Sequence, residues 1–97
     1  MALSPLTPYE LDPILPTIPR WRSVNDSLVR DYEFASHPEA IAFIVRVSEV
    51  AEEHEHHPEI LNVWSKVTLT LRTHDAGDKV TSFDVQLARA IDDLDEG

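Results

Sequence analysis

Between Ala40 and Thr73 the spacing of apolar residues changes from three-and-four to two. Ala40, Ile41, Ile44, Val45, Val47, Val50 and Ala51 recur at helical intervals, immediately after Ser36-His37-Pro38-Glu39, which has the S-x-x-E form of a capping box. A helix with one apolar stripe is therefore expected from about Pro38 to Glu53. From Val63 to Thr73 the chain alternates, with Val63, Ser65, Val67, Leu69 and Leu71 on one face and Trp64, Lys66, Thr68, Thr70 and Arg72 on the other. This is strand periodicity, rich in β-branched residues. Eleven residues is long for one strand, so a turn or bend is expected at Ser65-Lys66. A helical stripe and a strand face that both need apolar cover require helices laid on a sheet.

The flanking segments extend that layer. Five of the seven prolines, Pro5, Pro8, Pro13, Pro16 and Pro19, mark residues 1–19 as an arm. Thr7 reads as the N-cap of a short helix with Pro8 in its first turn, and Pro13 and Pro16 cut it short. From Trp21 to Phe34 the polar cluster Asn25-Asp26-Ser27 separates two candidate strands of a hairpin. In the second, Leu28, Arg30, Tyr32 and Phe34 share the face expected to meet the core, where Arg30 needs a partner or an exposed end. Residues 74–79 form a loop in which Gly77, the one internal glycine, is the expected holder of a positive φ. Thr81 or Ser82 then caps a last helix with apolar positions at Phe83, Leu87, Ala90, Ile91 and Leu94. Asp92, Asp93, Asp95 and Glu96, in the acidic tail 92–97, lie at the wrong end for the helix dipole, so fraying is expected there. The expected fold is α+β in the order α-β-β-α-β-β-α, one domain over residues 1–97 with helices on one face of an antiparallel sheet.

Composition narrows the function. Eight Lys/Arg against eighteen Asp/Glu give a net charge of −10, with no basic cluster to meet a phosphate backbone, so direct nucleic-acid binding is not expected. The chain has no Cys, which removes disulfides, thiolate metal sites and cysteine nucleophiles. No apolar run approaches the roughly 20 residues of a membrane span, and the first residues lack the features of an export signal, so a cytoplasmic setting is expected. A chain of this length buries only about 60–65% of its unfolded surface, leaving room for a second copy to cover an exposed face.

The chemistry concentrates in the histidines. His54, His56 and His57 fall among Glu52, Glu53 and Glu55, and His74 follows the long strand. Imidazole, with an ordinary pKa of about 6.5, both gives and takes protons near neutrality. The same cluster also fits a solvated helix end, where cations offset the dipole. A metal site is a further reading, although adjacent His56 and His57 do not readily point at one ion and no H-E-x-x-H motif is present. No G-x-S-x-G elbow or glycine-rich phosphate loop occurs.

The combination is more specific than its parts. Glu52 is followed by His56-His57-Pro58, then Trp64, His74 and Asp84, in an order and spacing that resembles the signature of the pterin-4a-carbinolamine dehydratases. Trp21, Leu28-Val29-Arg30, the helix from Ala42-Phe43 to Ala51-Glu52, Val67-Thr68-Leu69 before Thr73-His74-Asp75, and Asp84 to Leu87-Ala88 extend the resemblance over residues 8–94. It implies an α+β fold that assembles as a homodimer or homotetramer. It also implies dehydration of a 4a-hydroxytetrahydropterin to the quinonoid dihydropterin, the step that recycles tetrahydrobiopterin, with neither metal nor cofactor. Carried over, His56 and His74 are the acid/base pair and Asp84 a supporting carboxylate. His57, Glu52, Pro58, Trp64 and Thr73 form the substrate-binding set. As the alternative to the enzyme, the resemblance admits a non-enzymatic relative that binds protein, either as a Rubisco assembly factor or as a dimerisation cofactor of a homeodomain factor; Rubisco or a hydroxylase would then be the protein partner. Two positions depart from the pattern. Ile60 stands where many members have Trp after His-His-Pro-Glu, which leaves that wall of the pocket absent or supplied by Trp64. The loop after His74 is one residue longer than in many members.

Overall fold

Thr7 and Glu10 open the fold with a complete capping box: the Glu10 amide donates to Thr7 Oγ1 at 3.2 Å, and the Thr7 amide donates to Glu10 Oε1 at 3.0 Å. They start α1, Pro8–Leu11, in a computed structural model that describes residues 4–94. The Thr7 amide holds the Glu10 carboxyl below its ordinary range. A 3-10 turn at Leu15–Thr17, which the prolines did not announce, carries the arm to Ile18 and Trp21, both buried.

The hairpin consists of β1, Arg22–Val24, and β2, Ser27–Glu33. Asn25 and Asp26 join them with φ of 48° and 62°, the left-handed pair that a two-residue hairpin turn needs and that Asn and Asp tolerate. Ser27 therefore belongs to the strand, where it is buried. In β2, Leu28 is fully buried and Tyr32, with Phe34 just past the strand, packs partly buried against the core, but Val29 on the opposite face is buried too, so the alternation holds only from Arg30 onward. Arg30 finds its partner in Asp92, and its guanidinium lies 4.2 Å over the Tyr32 ring.

The long helix α2, His37–Glu53, starts at Ser36, whose hydroxyl accepts from the Glu39 amide at 3.3 Å. Its buried stripe is Ala40, Phe43, Val47 and Ala51, with Ile44 and Val50 partly buried. Ile41 and Val45, expected in that stripe, are 40% and 51% exposed. At about 100° per residue both lie outside the arc centred on Ala40, Phe43 and Val47.

The alternating stretch divides into β3, Glu59–Val63, and β4, Lys66–Leu71. The turn falls at Trp64-Ser65, one residue earlier than expected, with Trp64 at φ 54°. The turn resets the alternation, so Val63 pairs with Lys66 on the open face and is 63% exposed instead of joining Val67, Leu69 and Leu71 inside. The sheet runs β1-β2-β4-β3, antiparallel throughout. The last helix, α3, covers Ser82–Leu94 and buries Asp84, Val85, Leu87, Ala88 and Ile91. Phe83, expected in that stripe, is 41% exposed, and Ala90 is only partly buried.

Helices α2 and α3 cover one face of the sheet. Ala40, Phe43, Val47, Val85, Leu87, Ala88 and Ile91 close over Leu28, Val67, Leu69 and Leu71 in one core. Asp92 accepts from Trp21 Nε1 at 2.9 Å as well as from Arg30, which ties the end of α3 to the residue before β1 and to β2, and the chain stays helical through Leu94 instead of fraying at Asp92 and Asp93. Asp95 and Glu96 lie outside the described residues. No helix among the described residues is long and apolar enough to cross a membrane.

Candidate active site

Among the described residues, three of the five buried polar ones, Thr73, Thr81 and Asp84, bond to one another, and a histidine closes the cluster. Asp84 is at the third position of α3. Its Oδ2 accepts from the Thr81 amide at 2.9 Å, the return bond of a helix cap in which Thr81 Oγ1 accepts from the Phe83 amide at 3.2 Å. Thr73 Oγ1 donates to the same Oδ2 at 2.8 Å and lies 2.7 Å from Thr81 Oγ1. The other oxygen, Oδ1, takes His56 Nε2 at 2.5 Å, with Asp84 completely buried and the His56 side chain 14% exposed. One carboxylate thus caps α3 and holds His56.

The end of α2 delivers His56 to that carboxylate. The His56 amide bonds back to Ala51 O at 3.1 Å and the Glu55 amide to Glu52 O at 3.2 Å, while Glu55 takes φ 51°. This is the Schellman closure, with Glu55 in the left-handed position usually given to glycine. For a residue with a Cβ that conformation costs about 1–2 kcal/mol, and the cap and the His56–Asp84 bond retain it. His54, one residue inside the turn, bonds only to Val50 O and is exposed, so the solvated helix end describes His54 and not His56.

His74 begins a 3-10 turn, His74–Ala76, that ends at Gly77 with φ 78°. Nothing lies within 4 Å of where a Gly77 Cβ would be, so glycine is required there for its backbone and not for space. The turn folds Asp78 back onto His74, with Oδ1 2.9 Å from Nδ1. That hydrogen bond and the Asp78 charge, helped by Asp75, raise the His74 pKa above the ordinary imidazole value. His57 faces Glu52 instead, 2.6 Å away on the surface.

Two clefts meet over these side chains. One, of about 370 Å³, is lined by Glu55, His56, His57, Arg72, Thr73, His74, Asp75 and Phe83. The other, of about 330 Å³, adds Pro58, Glu59, Thr70 and Asp78. They share His57, Arg72 and His74, and so form two halves of one groove. A larger cleft of about 560 Å³ between the N-terminal arm and the β1–β2 turn shares no residue with them and contains no histidine. The groove therefore gathers His56, His57, His74, Thr73 and Pro58, with Asp84 buried behind. Glu52 lines neither half and reaches the groove only through His57. Trp64 is outside both, 73% exposed at the β3–β4 turn, so it supplies no wall to the groove. Ile60 is turned toward the core beside Leu69. Phe83, Arg72, Asp78 and Thr81 are the site residues sequence reasoning missed. Only Thr81 carried a signal, its T-x-x-D spacing to Asp84. Among the described residues no three histidine or carboxylate groups come together as a metal-holding set.

A carboxylate-held histidine facing a groove that a second histidine shares is an arrangement of groups able to give and take protons near neutrality. Residues 4–94 match the family model described as pterin 4 alpha carbinolamine dehydratase, and the chain belongs to that family. A relative from Opitutus terrae, named "Putative pterin-4-alpha-carbinolamine dehydratase", is 43% identical over 89 residues, covering 92% of each chain. One of the same name from Thermomicrobium roseum is 46% identical over 81 residues, 84% of this chain and 86% of the relative. A crystal structure described as a transcriptional coactivator/pterin dehydratase from Brucella melitensis superposes with a TM-score of 0.85 at 29% identity, covering 94% of this chain and 98% of that one. A pterin dehydratase-like protein described as a RuBisCO assembly factor of the alpha-carboxysome shares the fold, with a TM-score of 0.60 at 24% identity over 77% of this chain and 86% of that one.

Proposed function

We propose that this chain dehydrates a 4a-hydroxytetrahydropterin to the quinonoid dihydropterin and water, using His74 as the acid and His56 as the base. The observation that carries the reading is the buried His56–Asp84 pair opening onto the groove that holds His74. With Nε2–H donated to Asp84, the neutral His56 ring keeps its lone pair on Nδ1, the nitrogen left for the substrate. His74 has its Nδ1 committed to Asp78, so its Nε2–H is the proton it can give, and the raised pKa keeps that proton in place nearer neutrality. The proton passes from His74 to the C4a hydroxyl oxygen, and the C–O bond breaks as the N5 lone pair forms the C4a=N5 double bond. His56 Nδ1 then removes the N5 proton. One proton is given and one taken, so the balance is substrate to quinonoid dihydropterin plus water. His57 and Thr73 bound the substrate, and Asp84 acts through His56.

The apolar side chains of Leu61, Val63 and Trp64, 60%, 63% and 73% exposed at the outer strand of the sheet, support assembly with a second copy of the chain. A buried carboxylate–histidine pair that shares its groove with a second histidine favours the enzyme over a purely protein-binding role, in which Asp84 would need only to cap α3.

The test is the dehydration rate of a 4a-hydroxytetrahydropterin, generated in situ by a hydroxylase, with and without the protein from about pH 6 to about pH 8.5, bracketing the imidazole range. Acceleration is expected, and its absence with folded protein would reject the enzyme. Asp78→Asn adds a directional check. Without the carboxylate the His74 pKa falls back toward the ordinary value, so the acid loses its proton at lower pH. The alkaline limb of the kcat/KM profile is expected to move to lower pH; an unmoved limb would remove His74 from the acid role.

A further inference from the structure

Phe83 stands apart from the apolar core of the protein. It is 41% exposed, does not belong to the core cluster that takes in its α3 neighbours Val85, Leu87 and Ala88, and sits on the groove with its ring centroid 6.1 Å from that of His56 at 45°. The Thr81–Asp84 cap holds its place: the Phe83 amide donates to Thr81 Oγ1, and the next residue is the buried carboxylate that holds His56. The same hydrogen-bonded turn therefore fixes the positions of ring and imidazole along α3. The other lining side chains of this half, Glu55, His57, Arg72, Thr73, His74 and Asp75, are polar, so Phe83 is its one wholly apolar wall.

We infer that Phe83 is the substrate-stacking wall of the groove and sets its preference for a bicycle that carries a conjugated, planar aminopyrimidinone portion over a fully saturated substrate of similar polarity. The inference rests on the proposed dehydratase reading and adds a specificity residue to it. A phenyl face offers a planar ring dispersion and quadrupole contact that an aliphatic side chain of similar size lacks. A ring laid against Phe83 is also beside His56, which is where the N5 proton has to be taken.

The experiment compares wild type, Phe83→Leu and Phe83→Tyr, with 7,8-dihydropterin as an unreactive probe followed by calorimetry and the dehydration assay read separately for KM and kcat. Phe83→Leu keeps apolar bulk at an exposed position, so the fold is retained and circular dichroism verifies it. The expected loss is about three- to tenfold in probe affinity, with the larger part of the kinetic loss in KM, and Phe83→Tyr restores both. Probe affinity and KM unchanged in Phe83→Leu would overturn the stacking role while leaving the dehydratase standing. A loss in Phe83→Leu that coincides with dissociation of an assembled form, and that Phe83→Tyr fails to restore, would overturn it as well by making Phe83 an interface residue. Wild-type protein that neither binds the probe nor accelerates dehydration would reject the dehydratase reading itself and this inference with it.

Discussion

Replacing His56 and His74 together by alanine is expected to bring the dehydration rate close to the uncatalysed background. Each positioned acid or base contributes about 10²–10⁴-fold, so either single variant loses most of the acceleration. The double variant loses less than the product of the two, because a proton given at C4a–O and a proton taken at N5 serve one bond-breaking event. The structural consequences of the two differ. The His74 side chain is 91% exposed and bonds only to Asp78, so His74→Ala leaves stability nearly unchanged. His56→Ala strips the buried Asp84 Oδ1 of its donor, and an unpartnered buried acceptor costs about 1–3 kcal/mol. His56→Gln, which keeps an amide donor for Asp84, separates the stability cost from the chemistry: it is expected to melt closer to wild type and remain slow. The measurement is initial rate per folded molecule, with the melting temperature of each variant beside it. A double variant at the wild-type rate would remove both histidines from the mechanism.

What the residues disclosed and what they withheld divide along physical lines. Periodicity reports which side of an element is apolar, so α2, the hairpin and the alternating strand pair were legible, and local chemistry placed the caps at Thr7 and Ser36 and the positive φ at Gly77. Periodicity does not report how wide an arc the neighbouring layer covers, so Ile41, Val45 and Phe83 look like core residues on a helical wheel and are exposed in the fold. A turn one residue earlier than expected also moved Val63 to the open face and Trp64 away from the groove. The groove itself depends on contacts between segments distant in the chain. His56 and Asp84 are 28 positions apart, and nothing local signals that the carboxylate of a helix cap turns its second oxygen to a histidine at the end of another helix. Family resemblance pointed to both residues, whereas Asp78 and Phe83, which depend on how the loop and the α3 cap fold, it left unmarked.

The second large effect is expected from Asp84→Asn, a change that keeps volume and one acceptor and yet reverses a hydrogen bond. The Thr81 amide is an obligate donor to this side chain, so the Asn carbonyl oxygen takes the Oδ2 position and the NH₂ group faces His56 Nε2. A neutral His56 must then accept at Nε2, which moves its proton to Nδ1 and removes the lone pair the base needs. An imidazolium fares no better, because Nε2–H and the NH₂ group oppose each other. The rate is expected to fall on the order of 10²–10⁴-fold, as when another carboxylate-held histidine loses its tautomer. Asp84→Ala goes further, since it deprives His56, Thr73 and the Thr81 amide of a buried acceptor at once, and is expected to cost about 3–5 kcal/mol. The tautomer itself is the decisive readout: ¹⁵N chemical shifts of His56 should report Nε2–H in the wild type and Nδ1–H in Asp84→Asn. If the shifts stay those of Nε2–H while the rate falls, Asp84 contributes something other than orientation; if neither changes, the carboxylate is only the cap of α3.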